Sequence, residues 1–120
     1  YRAGFLEDTS AGYHAMDVLG LPTYREGFPN VPIEAAAAGK PTIGSSATGV
    51  VDAVLDGKTG WLVPVGDSEA LCAMFLLVAG EPELCRSYGE VARKRALFEF
   101  APERIWAGLA KLYSKMCGRR

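Results

Sequence analysis

Three short apolar runs divide the first half of the chain. They are DVLGLP at 17–22, PTIGS at 41–45 and TGWLVP at 59–64. The first run does not alternate between apolar and polar residues and stops at a proline, which is typical of a strand buried in a parallel sheet. The other two also predict strands, and the stretch AGFL at 3–6 predicts the end of one more.

Helical segments separate these strands, and each begins or ends at a residue that favours a helix terminus. Ser10 and Asn30 are predicted to be N-caps, because their side-chain oxygens can accept a hydrogen bond from the first turn. Gly39 and Gly57 are predicted to end helices, since glycine tolerates the left-handed conformation found there. The helices predicted in this way are 11–16, 31–38 and 47–57.

The second half of the chain is predicted to be mostly helical. Asp67 is expected to cap a helix over 68–80, and Pro82 begins a new helical pattern over 83–98. A last helix is predicted from Pro102 onward. Apolar residues recur at helical spacing in all three. They are Leu71, Phe75 and Val78 in the first, Leu84, Tyr88 and Val91 on the inner face of the second, and a stripe of Ile105, Leu109, Leu112, Tyr113 and Met116 in the last.

Strands that alternate with helices through short loops predict a parallel sheet covered by helices. The fold class is therefore α/β, with part of a Rossmann-like sheet and extra helices at the C-terminal end. Ligands of such sheets bind at the carboxyl ends of the strands. In this chain those ends lead into the loops at 23–30, 45–49 and 64–67.

Composition and charge are those of one ordinary globular domain. The chain has 120 residues, of which 49% are hydrophobic, and a formal net charge of −1, so it has no bulk attraction for nucleic acid. It contains no apolar window of about 18 residues and no recognisable signal peptide at its start, and it does not begin with methionine. The three cysteines, Cys72, Cys85 and Cys117, form no disulfide or metal pattern and predict reduced, structural thiols in the cytoplasm.

Other polar groups carry less information. The only histidine, His14, is expected to be solvated, and no Asp-x-Asp pair is available to hold a metal bound to a diphosphate. Three consecutive basic residues in the helix over 83–98 are expected to form a solvated surface, and these are Arg93, Lys94 and Arg95.

The stretch EGFPNVPIE at 26–34 places Glu26 before a Gly-Phe-Pro turn and Glu34 one turn inside the following helix. The backbone N–H groups around residues 27–31, Pro29 having none, are suited to a phosphate together with the positive end of the helix dipole. Gly27 is expected to permit close backbone approach and unusual dihedral angles.

Glu34 comes one residue too late for a capping box with Asn30, so helix capping does not account for it. Its two carboxylate oxygens match the adjacent hydroxyls of a ribose, and Glu26 can bind a second hydroxylated group beyond the phosphates. This order of groups is that of a nucleotide-sugar. A glutamate near a helix N-terminus is also favourable by about 0.3–1 kcal/mol through the dipole alone, so a purely structural role stays open at this point.

The stretch from Leu21 to Pro64 resembles the C-terminal half of the retaining family 4 glycosyltransferases, which have the GT-B fold. The signature of that family is a glutamate, seven residues and a second glutamate, and Glu26 and Glu34 match it. The resemblance extends from GFLEDTSAGYHAMDV near the start to ERIWAGLAKLY near the end, so it covers nearly the whole chain.

The resemblance implies a role for each matching residue. Glu26 would contact the donor sugar at the catalytic centre, and Glu34 would bind the ribose. Gly27, Phe28 and Pro29 would lie beside the sugar and diphosphate. Further donor contacts are expected from the neighbouring backbone of Asn30 and Val31, and from Ser45 and Gly49 after the next strand.

Residues 1–120 would then be a single truncated nucleotide-sugar-binding domain, without the N-terminal domain that binds the acceptor. The arginine and lysine with which the family neutralises the diphosphate would lie upstream, so we expect the chain alone to be inactive. The implied donor is a UDP-sugar, with a GDP-sugar as the alternative, and the transfer is expected to need neither cofactor nor metal. Ala101 stands where relatives carry a capping residue, which predicts a frayed last helix.

The narrower resemblance is to bacterial enzymes that build surface polysaccharide or lipid-linked oligosaccharide. It implies a saccharide or lipid-linked acceptor and a cytoplasmic protein that works at the inner face of the membrane, with peripheral membrane association of the parent protein. Two alternatives stay open, a module that binds nucleotide or sugar without catalysis, and a nucleotide-sugar epimerase on the same fold.

Overall fold

The computed structural model describes Arg2 and residues 4–118. The predicted strand end at 3–6 is wrong for residues 4–6, which lie outside any strand, while Ala3 falls outside the described residues. The remaining predicted strands and helices all have counterparts. In chain order they are α1 (Ser10–Ala15), β1 (Leu19–Leu21), α2 (Asn30–Ala37), β2 (Thr42–Ser45), α3 (Val50–Ala53), β3 (Gly60–Val63), α4 (Ser68–Gly80), α5 (Pro82–Glu99) and α6 (Pro102–Cys117).

The three strands form a parallel sheet in the order β1, β2, β3. Gly20 pairs with Ile43, and Ile43 pairs with Trp61, so the strands end close to one another at their carboxyl edge. Every residue of the central strand β2 is buried. The prediction that DVLGLP forms a buried strand is wrong, because β1 lies at the edge of this three-stranded sheet, where Leu19 and Leu21 are half-buried and Gly20 is exposed. The predicted α/β class with a partial parallel sheet is confirmed.

Both faces of the sheet are covered. On one face, Ile43 and Trp61 pack with Val78 of α4 and Cys85 of α5. On the other face, the residues that alternate with them, such as Leu21 and Leu62, pack against the buried residues Ala47, Val50, Ala53 and Val54 in and around α3. Cys85 is thus a core residue as expected, whereas the other two cysteines, Cys72 and Cys117, are exposed.

Helix α5 packs closely against the end of α2. A Cβ atom on Gly89 would lie 2.0 Å from the carbonyl oxygen of Gly39, so only glycine permits this approach. The buried face of α5 consists of small residues, Cys85, Gly89, Ala92 and Ala96. Leu84 and Tyr88 pack at the margin of this face as predicted, but the prediction for Val91 is wrong, since it is 46% exposed.

Two predicted N-caps are wrong. Ser10 is the first residue of α1 rather than its cap, and its N–H and hydroxyl both donate to the Asp8 carboxylate. Asn30 is likewise the first residue of α2, because the extended backbone of Pro29 already provides the N-cap position and no side chain caps the helix. The predicted cap at Asp67 is confirmed, since its carboxylate accepts a hydrogen bond from Ala70 N–H.

The helix predicted over 47–57 is much shorter than expected. Helix α3 ends at Ala53, and the chain then turns so that the N–H of Leu55 donates to the hydroxyl of Thr59. Asp56 therefore leaves the helix, and its carboxylate accepts a hydrogen bond from Leu62 N–H of β3. Gly57, with φ of +70°, occupies this turn instead of ending a helix. The termination of α2 at Gly39 is confirmed, since Gly39 has φ of +76°.

Helix α6 has no buried residue, although its apolar stripe is present. Trp106 and Tyr113 are 71% and 62% exposed, so neither packs within this part of the protein. Ala101 occupies the N-cap position without a side-chain hydrogen bond, as its sequence predicts. Among the described residues, no helix combines the length and apolar character needed to cross a membrane.

Candidate functional site

The predicted loops at the carboxyl edge of the sheet contact one another directly. The N–H of Glu26 donates to the carbonyl oxygen of Thr48 at 3.2 Å. The N–H of Thr23 donates to the hydroxyl oxygen of Ser45 at 3.0 Å. The loops after β1 and β2 are therefore joined both at their start and at the position of the first glutamate.

The glycine that permits this contact is Gly49, not Gly27. Gly49 has φ of +82°, and a Cβ atom there would lie 2.0 Å from the carbonyl oxygen of Gly27 and 2.9 Å from that of Glu26. Gly27 itself has no positive φ, and a Cβ atom on it would meet nothing within 4 Å. The expectation of unusual dihedral angles at Gly27 is therefore wrong. The loop after β2 supplies the flexibility that brings the two backbones together.

The rest of the turn is anchored by its aromatic residue and its proline. The ring centroid of Phe28 lies 5.7 Å from that of Phe100, which follows α5, and Phe28 keeps 46% of its surface exposed. Pro29 is buried, whereas Asn30 and Val31 are exposed at the start of α2. The N-terminus of α2 therefore faces solvent beside a turn whose conformation is held by packing.

Arg95 contacts the end of α3 and the ring of Phe100. Its predicted position on a solvated surface is therefore wrong. Its side chain is only 13% exposed. One guanidinium nitrogen donates to the carbonyl oxygen of Ala53 at 2.6 Å, and another donates to that of Asp52 at 3.0 Å. The guanidinium also lies 5.0 Å from the centre of the Phe100 ring. Arg95 thereby connects the end of α3 to the aromatic pair formed by Phe100 and Phe28.

The two glutamates differ in their surroundings. Glu26 is partly exposed, and its side chain makes no hydrogen bond or ion pair with any of the residues that the structure describes. Glu34 is exposed on α2, and its Oε2 accepts a hydrogen bond of 2.8 Å from the hydroxyl of Tyr13 in α1. Neither carboxylate is buried against hydrocarbon, so both can reach a ligand in solvent.

The Tyr13 hydroxyl is held in its protonated form. Partial burial, followed by the hydrogen bond to Glu34 and the charge of that carboxylate, raises the pKa of Tyr13 to about 12. Tyr13 thus remains a donor throughout the physiological pH range. Nothing in its sequence context distinguished it from the other tyrosines, because Glu34 is 21 residues away along the chain.

This raised pKa predicts a pH dependence of stability. Unfolded tyrosine loses its proton near pH 10, whereas folded Tyr13 keeps it until about pH 12, so the contribution of this group is complete below pH 10. It should decline as the pH rises from 10 to 12. We expect the difference in unfolding free energy between wild type and Tyr13→Phe to be constant from pH 7 to 9 and to shrink above pH 10 in urea titrations. A difference that stays constant to pH 12 would contradict the assignment.

Among the cavities that the described residues form, two lie at the predicted loops and at Tyr13, and a third, of about 340 Å³, borders Glu34 and Phe100. One, of about 190 Å³, opens at the carboxyl edge of the sheet, where Ser45 and Tyr24 are among its lining residues. The other, of about 380 Å³, lies between α1 and α2 and is lined by Glu34, Tyr13 and the segment 8–10. The second cavity gives Glu34 room for a bound group, whereas Ser45 is buried and its hydroxyl already accepts a hydrogen bond from Thr23.

Comparison with known proteins identifies the family of this chain. Residues 2–81 match the family described as Glycosyl transferases group 1. The chain belongs to the group 1 glycosyltransferases. The capsular polysaccharide biosynthesis glycosyltransferase CapM of Staphylococcus aureus is 36% identical over 109 residues, a stretch that is 91% of this chain and 29% of CapM. The chain therefore spans less than a third of the length of this group 1 relative.

Solved structures agree with this assignment. A sucrose-phosphate synthase from Thermosynechococcus elongatus superimposes with a TM-score of 0.89 at 32% identity, over 93% of this chain and 28% of the other. The structure of HepE from Anabaena in complex with UDP gives a TM-score of 0.90 at 24% identity, over 94% and 31%, which supports the fold alone. The fold is α/β with a three-stranded parallel sheet, and its structural neighbours are GT-B glycosyltransferases.

The part of the chain that the structure describes contains no cluster of metal-binding side chains. Among those residues, no three histidine, cysteine, aspartate or glutamate side chains are grouped closely enough to hold a metal ion. His14 is exposed, and its Nδ1 lies 2.8 Å from the carbonyl oxygen of Ser10. The expectation of a metal-independent transfer stays a prediction.

Proposed function

We propose that this chain is the donor-binding part of a retaining glycosyltransferase that transfers a sugar from a nucleotide-diphosphate sugar to an acceptor hydroxyl. The observation that carries the proposal is the exposed carboxylate of Glu34 beside a cavity of about 380 Å³. A carboxylate with one oxygen open to such a space can accept hydrogen bonds from a ribose diol. The spacing of Glu26 and Glu34 supports the same interpretation.

The nucleoside would occupy the cavity at Glu34, and the diphosphate would extend towards the start of α2. The first turn of α2 has no side-chain cap, so its N–H groups are available to phosphate oxygens and its dipole favours negative charge. The backbone of Gly27 to Val31 would line this path. Glu26, at the end of the path, would orient the donor sugar. Gly49 would hold the backbone of Glu26 in place, and Ser45 would hold the loop after β1 through its hydrogen bond with Thr23.

The rest of the reaction would depend on parts of the protein outside this chain. We propose a UDP-sugar as the donor, a saccharide or lipid-linked acceptor bound by an N-terminal domain, and a transfer that needs no metal. The similarity to CapM, whose name refers to capsular polysaccharide, favours bacterial surface polysaccharide as the product class. A cytoplasmic protein that associates peripherally with the inner face of the membrane fits this role.

The proposal is tested by offering UDP-sugars and GDP-sugars to the full-length protein and following release of the nucleoside diphosphate. Loss of hydrogen bonds to a charged acceptor predicts that Glu34→Ala weakens nucleotide affinity about tenfold to a hundredfold. Glu26→Ala should keep nucleotide affinity and lose release of the nucleoside diphosphate, because the proposed partner of Glu26 is the donor sugar. Glu90→Ala, on the exposed face of α5, is the matched control and should behave as wild type.

Wild-type release by both Glu26→Ala and Glu34→Ala would overturn the site assignment. Nucleotide binding without any release of nucleoside diphosphate, under all donors and acceptors tried, would favour a binding module over a transferase. Residues 1–120 alone should bind the nucleotide more weakly and release no nucleoside diphosphate, since the proposed acceptor domain and the cations expected to neutralise the leaving group lie outside them.

A further inference from the structure

One side-chain hydrogen bond connects α1 to Glu34, the residue that is proposed to bind the ribose. The Tyr13 hydroxyl donates to Oε2 of Glu34 at 2.8 Å. The other side-chain hydrogen bonds of α1 in the described part of the chain are local, from Ser10 to Asp8 and between His14 and Ser10. Tyr13 is thus the one polar side chain of the described α1 that reaches α2.

This bond restricts a side chain that would otherwise rotate in solvent. An exposed glutamate loses side-chain entropy when it binds a ligand, and holding it beforehand in the bound rotamer reduces that cost. Tyrosine is suited to this task because it has few rotatable bonds and its ring is half-buried here. With Oε2 occupied by Tyr13, Oε1 remains for a ligand in the cavity that both residues line.

We propose that Tyr13 is a positioning residue for nucleotide binding: its hydroxyl fixes the Glu34 carboxylate in the orientation in which Oε1 accepts a hydrogen bond from the ribose of the donor. The inference rests on the proposed function of Glu34 and adds a residue to it. Tyr13 acts through Glu34 and makes no contact with the reacting atoms.

The protonation states of the two groups support this arrangement. The pKa of Tyr13 is raised by burial and by the neighbouring Glu34, so the phenol keeps its proton and acts as the donor. A carboxylate that accepts from Tyr13 on one oxygen can accept from a ribose hydroxyl on the other. Tyr13 and Glu34 together therefore favour binding of a nucleotide that carries the ribose 2′-hydroxyl over one that lacks it.

The test compares the affinities of the full-length protein for UDP and 2′-deoxy-UDP by titration calorimetry, with GDP and 2′-deoxy-GDP run in parallel. Wild type should prefer the ribonucleotide. Tyr13→Phe keeps the ring and removes only the hydroxyl, and the loss of one positioning hydrogen bond should lower the ribo-to-deoxy preference about fivefold. The change should come from weaker binding of the ribonucleotide, with the deoxynucleotide affected little.

Tyr113→Phe on exposed α6 is the matched control, because it removes the same hydroxyl far from Glu34 in the sequence and should leave the preference unchanged. A purely structural role of Tyr13 would weaken both nucleotides equally, and that result overturns the inference. If Glu34→Ala abolishes the preference while Tyr13→Phe leaves it intact, the inference fails and the proposed function stands. If Glu34→Ala itself keeps the wild-type preference, or wild type binds none of the four nucleotides, the proposed function fails.

Discussion

Replacing Gly49 with alanine is expected to lower the free energy of unfolding by about 4 kcal/mol, at the upper end of what single substitutions cost. The added Cβ would lie 2.0 Å from the Gly27 carbonyl oxygen and 2.8 Å from the Gly27 carbonyl carbon, which are backbone atoms that cannot rotate away. The positive φ of +82° adds about 1–2 kcal/mol for any L-residue with a side chain. To relieve the clash, the loop after β2 must separate from Glu26.

Two other glycine-to-alanine substitutions, measured by urea unfolding, separate the cost of the clash at Gly49 from the cost of its positive φ. Gly57 also has a positive φ, of +70°, but a Cβ there meets nothing within 4 Å, so Gly57→Ala measures the cost of the dihedral angle alone. Gly27→Ala lies on the other side of the same contact and meets nothing either, so it should be nearly neutral for stability. If Gly49→Ala costs no more than Gly57→Ala, the close contact between the two loops does not exist in solution.

Replacing Arg95 with alanine is expected to cost about 3 kcal/mol, because hydrogen bonds from a charged donor are each worth about 1.5–3 kcal/mol and two of them are lost together. The carbonyl groups of Asp52 and Ala53 would lose their donors at the end of α3. The ion pair with Glu99 is half-exposed on the glutamate side and adds little. Loss of the guanidinium also removes the support beneath Phe100, so the turn at Phe28 should become more mobile.

The neighbouring basic residue provides the control in the same unfolding experiment. Lys94 is exposed, and Lys94→Ala should change the stability by less than about 0.5 kcal/mol. The loss of stability in Arg95→Lys should lie between those of Arg95→Ala and Lys94→Ala, since a lysine ammonium group cannot donate to both carbonyl groups as the planar guanidinium does. If Arg95→Ala and Lys94→Ala have equal effects, Arg95 is a solvated surface residue, as its sequence context predicted.

The contrast between Arg95 and its neighbours explains why the sequence was misleading there. Three consecutive basic residues on a helix normally point to solvent, and Arg93 and Lys94 do. The position of Arg95 depends on the end of α3, 42 and 43 residues away, where carbonyl groups need donors. The early end of α3 has the same origin, because Arg95 and Thr59 satisfy backbone groups that a longer helix would have paired internally.

Helix caps were predicted correctly where the cap depends on local geometry alone. Asp67 follows a turn and caps α4 as its position suggests. The prediction failed at Asn30 because Pro29 is itself in the extended conformation that an N-cap requires, so α2 begins one residue early. Which of several adjacent residues takes the cap position depends on the path of the preceding loop, and the pairing of that loop with Thr48 decides the path.

The sequence by itself determined the parallel strands, their order along the chain and the placement of Glu26 and Glu34 on a loop and a helix after the first strand. These features follow from short-range patterns of apolar, capping and turn residues, which act through local backbone preferences. Only the tertiary structure decided that Gly49 is the constrained glycine, that Arg95 points inward and that Tyr13 holds Glu34. Each of these is a contact between residues more than 20 positions apart, and its geometry depends on how the helices and loops pack across the sheet.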